Sequence, residues 1–161
     1  MTTQFTQTRD CELSILYHLE TEIANDWSGI SIIKTFKDVY SDSMDLPVVC
    51  VNLIETSPIL KKEIGSTTLQ EYYLISIHVF ATSDGMRLDL AHYITDKLKD
   101  GWVHYLHSHV SGDKSSLSRT ASGRDKVSEW ITNGKIDPTD TIDQKDKFRH
   151  NIVVQIKHST S

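Results

Sequence analysis

A chain of 161 residues, 38% hydrophobic and 24% charged, is long enough to bury one core without disulfides or metal, and no apolar run approaches the ~20 residues of a membrane-crossing helix. A formal net charge of -5 works against a general nucleic-acid binder, because neutralising phosphates takes clustered Lys and Arg on one face. Cys11 and Cys50 make neither a disulfide framework nor a zinc spacing, so both are expected as free thiols, and MTTQFTQTRD lacks the basic-then-apolar order of a secretory leader, which predicts residence in a cytoplasm.

Residues 1–8 read as a flexible polar arm. In RDCELSILYHLETEIAND, Ile15, Leu16, Leu19 and Ile23 recur at helical spacing, with Thr8 or Asp10 placed to cap the start. The Asn25-Asp26-Trp27-Ser28-Gly29 break leads into ISIIKTF, a short β-branched strand. Pro47 stands directly before the apolar run Val48 to Ile54. Proline lacks the N–H that a ladder needs, so it marks the strand's entrance, and the unbroken run predicts a central strand covered by helices on both faces.

ETSPILKKEIGSTTL predicts a protruding hairpin over 56–69, leading to the strand LQEYYLISIHVFA, which should pair antiparallel with the strand after Pro47. Tyr73, Ile75, Ile77 and Val79 make one of its faces. Ser83 or Asp84 can cap the helix MRLDLAHYITDKLKDG, where Met86, Leu90, Ile94 and Leu98 share a side and Gly101 supplies a left-handed stop. WVHYLHSHV reads as a short helical or extended piece packed by Trp102 and Leu106. The polar stretch 108–147 predicts a long loop outside the core, and FRHNIVVQIKH alternates as a half-buried final strand. The expectation is one α+β domain over 1–161, with a mixed, mainly antiparallel sheet of about four strands flanked by two helices.

Candidate chemistry is sparse. His104, His107 and His109, with Asp113 nearby, are the only group resembling metal ligands, yet their spacing does not share one regular face, so solvated or interface histidines are expected and no metal or cofactor is assigned. No GxSxG, P-loop, GxGxxG or CxxC occurs, and Glu20 with Glu22, or Asp137 with Asp140, form an acid/base pair only if a cleft joins them. Arg119, Arg124 and Lys126 read as a solvated charge run. Trp130, beside Val127 and Ile131, is an apolar cluster in polar surroundings that must bury itself, against its own domain or a partner.

Leu46-Pro47-Val48-Val49, the strand Ile75-Ser76-Ile77-His78-Val79-Phe80-Ala81, and Arg87 with Leu90-Ala91 on the next helix occur in an order that resembles the tail terminator and tail completion proteins of long-tailed bacteriophages, the T5-like siphophages in particular. The resemblance covers about two thirds of the chain and departs at 108–147. It implies a non-enzymatic virion protein, assembled in the host cytoplasm at the neck-proximal end of the tail. Such a protein forms a homo-oligomeric, hexameric ring that caps the tail tube, ends its elongation and meets the head–tail connector or neck proteins. DNA passes through the lumen without specific binding. A ring needs contact elements, and Ile59, Leu60, Lys61 and Lys62 on the hairpin, together with Trp130, are the expected ones. A neck or head-completion protein is the alternative within the same class, and a metal-binding enzyme domain built on the histidines is the alternative outside it.

Overall fold

The computed structural model describes residues 7–56, 60–61, 69–70, 72–108, 118–136, 145 and 147–159. In chain order the elements are α1 (Gln7–Asp26), β1 (Ser31–Ile33), a 3-10 turn (Phe36–Tyr40), β2 (Val48–Thr56), β3 (Leu60–Lys61), β4 (Leu69–Gln70), β5 (Tyr72–Phe80), α2 (Asp84–Leu98), β6 (Trp102–Ser108), β7 (Ser118–Ile136) and β8 (Arg149–Ser159). Six strands form one curled mixed sheet in the order β1-β2-β5-β8-β7-β6, a single α+β domain. β1 runs parallel to β2, and every other neighbouring pair is antiparallel.

The core follows from periodicity. Cys11, Ile15, Leu19 and Ile23 fall every fourth residue on α1, and Leu90, Ile94 and Leu98 do the same on α2, so each helix lays one stripe on the sheet. Opposite them stand Val49 and Val51 of β2, Tyr73, Ile75, Ile77 and Val79 of β5, and Ile152, Val154 and Ile156 of β8, all buried in one cluster. Ser83 caps α2 by accepting from the Met86 N–H at 3.1 Å, and Gly101 closes the following turn at φ +79°.

Several expectations need correction. Both helices pack on the same face of the sheet. The other face of β2 and β5 is covered by the 3-10 turn instead, where Val39, Val48, Cys50 and Phe80 make a second small core. The ammonium of Lys145 holds that cover in place, donating to the carbonyls of Val39, Ser41 and Met44 at 2.7, 2.7 and 2.8 Å. WVHYLHSHV forms strand β6, and much of the expected 108–147 loop is the longest strand in the molecule. β7 escapes a hydrophobic reading because its ladder hydrogen bonds run to β8, and over part of its length to β6, while few of its side chains are buried. Residues 118–136 are therefore ordered by backbone pairing, and the sheet has six strands where about four were expected. α1 begins at Gln7, and Asp10 lies buried within its first turn.

The expected hairpin over 56–69 is seen as β3 paired antiparallel with β4, Leu60 opposite Gln70 and Lys61 opposite Leu69. Ile59, Lys62 and the rest of that hairpin lie outside the described residues. So do residues 1–6 of the arm, and His109, Asp113, Asp137 and Asp140. Among the described residues no helix is long and apolar enough to cross a membrane.

Candidate interaction edge and buried histidine clusters

Every open sheet has two edges whose backbone groups need partners. Here one helix supplies many of them. Ser14 of α1 accepts from the Tyr105 N–H at 2.9 Å and donates to the Tyr105 carbonyl at 3.4 Å. One turn earlier, Asp10 accepts from the His107 N–H at 3.1 Å and Arg9 donates to the His107 carbonyl at 2.8 Å. On its other flank Glu12 accepts from the Leu53 N–H of β2 at 2.7 Å, beyond the point where β1 has ended, and pairs with Lys34 at 2.6 Å. The sheet thus curls so far that α1 seals β6 on one side and β2 on the other.

One edge stays open. β6 pairs with β7 only from Ser118 to Asp125, whereas β8 pairs with β7 from Arg124 to Ile136. Among the described residues no strand adds to the outer edge of β7 over 126–136. Trp130 and Ile131 lie there, 39% and 48% exposed, while Val127 packs partly against the core. Trp130 was expected to bury itself against its own domain or a partner; its own domain leaves it at the surface. Register shifts at 127/129 and 130/132 mark two bulges, which twist this edge away from the flat geometry that invites uncontrolled strand addition. Arg119 and Arg124 are tied down on the same strand: Arg119 stacks 4.1 Å from the Tyr17 ring centroid and Arg124 donates to the Asp100 carbonyl at 3.3 Å. They are not a loose charge run.

Five of the described histidines fall into four settings. His107 faces Asp10, Nδ1 to carboxylate 3.2 Å, and burial, opposed by that carboxylate, leaves its pKa below the usual imidazole value. His150 accepts at Nδ1 from Arg87 at 2.6 Å, which places its proton on Nε2, where it donates to Asn133 at 2.6 Å. Burial, reinforced by Arg87, lowers its pKa. On the opposite face His78 accepts at Nδ1 from Arg149 at 3.2 Å and donates to Ser76 at 2.9 Å; burial, and then Arg149, push its pKa down to about 4. The fourth setting gathers residues distant in sequence. Asp125 of β7 accepts from His104 Nδ1 and from His158 Nδ1, each at 2.9 Å, and Cys11 Sγ lies 3.9 Å from that same His104 nitrogen.

His104 and His107 were expected to be solvated or at an interface; both are buried, each against its own carboxylate, and they stand in separate settings. His104 joins Cys11, Asp125 and His158, none of which carried a local signal, because strand pairing alone brings β8 beside β7 and the curl alone brings α1 over both. His104 faces inward with Trp102 by strand alternation, and the register shift between Val103 and Tyr105 puts the extra residue on β7 opposite it, with Gly123 at φ +86°. None of these clusters opens into the cleft of about 400 Å³ between α1 and β1, whose lining includes Glu20, Ile23, Trp27 and Ile30. Glu20 lines that cleft, while Glu22 pairs with Lys97 at 3.4 Å, so the cleft does not join the two glutamates. No protein-family model matches this chain, and no curated protein matches it.

Proposed function

We propose that this chain is a non-enzymatic structural subunit that assembles into a ring, hexameric in the resembled proteins, which caps a phage tail tube, stops its growth and offers a surface for joining to the head. The observation that carries the reading is the outer edge of β7 at 126–136, to which no strand is added among the described residues, with Trp130 and Ile131 exposed on it, while α1 hydrogen-bonds to the edges of β6 and β2. An aromatic anchor on an ordered strand suits contact with a second copy better than it suits solvent, because it offers large apolar area at small entropic cost. The terminator-like order of Leu46-Pro47-Val48-Val49, the β5 strand and Arg87 on α2 supports the same reading. The neighbouring tail tube protein and the neck proteins are its partners in this scheme, and the DNA that passes the lumen meets a chain of net charge -5.

The test is infection with the coding sequence deleted. Filled heads and separate tails that are overlong or unable to join are expected. Tails of normal length attached to heads would refute the proposal. Labelled protein found on filled heads and absent from head-free tails would assign it to the neck instead.

A further inference from the structure

We propose that Cys11, His104 and Asp125 form a zinc-binding centre, with His158 supporting Asp125 from beside it, that fastens α1 to the strands it seals. Cys11 Sγ, His104 Nδ1 and an Asp125 carboxylate oxygen lie within 4.8 Å of one another, and all three residues are buried. His158 Nδ1 stands 2.9 Å from the second Asp125 oxygen, and its ring centroid is 4.0 Å from that of His104. Bond lengths to zinc of about 2.0–2.3 Å put the donors of a tetrahedral site about 3.3–3.8 Å apart. The observed 2.9 and 3.9 Å separations bracket that range, so small rotations of these three side chains suffice, while His158 lies outside the group and orients Asp125 through their 2.9 Å contact.

Three further features favour an ion over a purely hydrogen-bonded cluster. His104 Nδ1 is approached by both Cys11 Sγ and Asp125, so three different donor types converge on one buried point. Thiolate, imidazole and carboxylate together are a donor set that zinc accepts readily and that calcium or magnesium does not. Charge also balances: zinc with one thiolate and one carboxylate is neutral, and a neutral centre removes the cost of burying Asp125, which among the described residues has no lysine or arginine partner. On binding, the Cys11 thiol releases its proton to solvent and the His104 imidazole coordinates in its neutral form. His158, 9% exposed at the side chain, lies at the rim through which the ion enters. The centre joins α1, β6 and β7, buried away from the cleft, which makes it structural.

The test uses the full chain, stripped with chelator and titrated with zinc alone and, separately, with cobalt as a coloured probe. One tightly held equivalent is expected, with a higher melting temperature in zinc, and the cobalt form should show tetrahedral visible bands plus a near-ultraviolet thiolate charge-transfer band. Cys11→Ser should lose the charge-transfer band. His158→Gln, at the rim and checked for native circular dichroism, should weaken binding by about tenfold or more. Absence of stoichiometric uptake by the wild-type chain, or equal affinity and spectra in both variants, would overturn the proposal and leave a hydrogen-bonded cluster.

Discussion

The Ser14 hydroxyl takes the place of a neighbouring strand at Tyr105, accepting from its N–H at 2.9 Å and donating to its carbonyl at 3.4 Å. An edge strand normally leaves such groups to water, but here Ser14 is fully buried. Removing its oxygen leaves a backbone donor and acceptor without their partner. Ser14→Ala is expected to cost about 1–3 kcal/mol in urea unfolding. A loss below about 0.5 kcal/mol would show that the edge does not depend on this contact.

Val49 and Val51 face the helices from β2, fully buried and opposite Val79 and Ile77. Cutting either to Ala removes buried methyl groups from a site closed on every side, at an expected cost of about 1–3 kcal/mol. Amide exchange provides the independent check. Protection should begin immediately after Pro47, and rapid exchange across residues 48–54 would contradict the strand.

The elements most legible in the sequence are those with an apolar residue at every second position. Tyr73, Ile75, Ile77 and Val79 on β5, and Ile152, Val154 and Ile156 on β8, declare one face by that period alone, and all are buried. Ser83 and Gly101 announced the ends of α2 for equally local reasons. β7 stayed hidden because its cohesion is in backbone pairing, its buried side chain is an aspartate, and two bulges break the period that would have marked it. The Cys11, His104, Asp125 and His158 cluster was hidden for a different reason. Its members are far apart along the chain and meet only through the curl, which no local pattern encodes.

His78 gives the fold a pH dependence whose sign is fixed. Its folded-state pKa of about 4 lies below the ordinary 6.5, so between those values the unfolded chain binds more protons than the folded one. Stability is therefore complete above about pH 6.5 and declines as pH falls toward about 4. Uptake of one proton limits the slope to at most about 1.4 kcal/mol per pH unit. Its surroundings are the Arg149 guanidinium, the Ser76 hydroxyl, the Phe36 ring at 4.9 Å, and across the strand pair Cys50, whose thiol is raised to about 11 by burial and Asp38 and so carries no charge. Because burial outweighs Arg149 as the cause, Arg149→Gln should raise the His78 value in a proton NMR titration yet leave it under 6.5. A value at or above 6.5 in the wild-type protein would remove the effect.

Gly101 serves two needs at once. Its φ of +79° disfavours any side chain, and a Cβ built there would meet the Asp125 carbonyl oxygen at 2.7 Å. Backbone strain and the close approach of β7 together predict that Gly101→Ala costs about 2–4 kcal/mol. Gly85 has open space around the same added atom, and Gly85→Ala serves as the control that should leave the midpoint nearly unchanged. Equal effects at the two glycines would refute the close-packing argument.

Trp130 and Ile131 separate folding from assembly. Both are substantially exposed, 39% and 48%, so their replacement should shift the stability of the isolated subunit by no more than about 0.5 kcal/mol. If the open edge of β7 is where one copy meets the next, Trp130→Ala or Ile131→Asp should nevertheless abolish ring formation on tail tubes, because removing a central aromatic anchor, or burying an unpaired carboxylate at an interface, costs far more there than in the free chain. Sedimentation of the purified variants, followed by binding to tubes assembled without the cap, measures the two effects separately. Variants that fold and still cap tubes at the wild-type concentration would clear this edge of any role in assembly, and the subunit contact would then have to be sought on another surface.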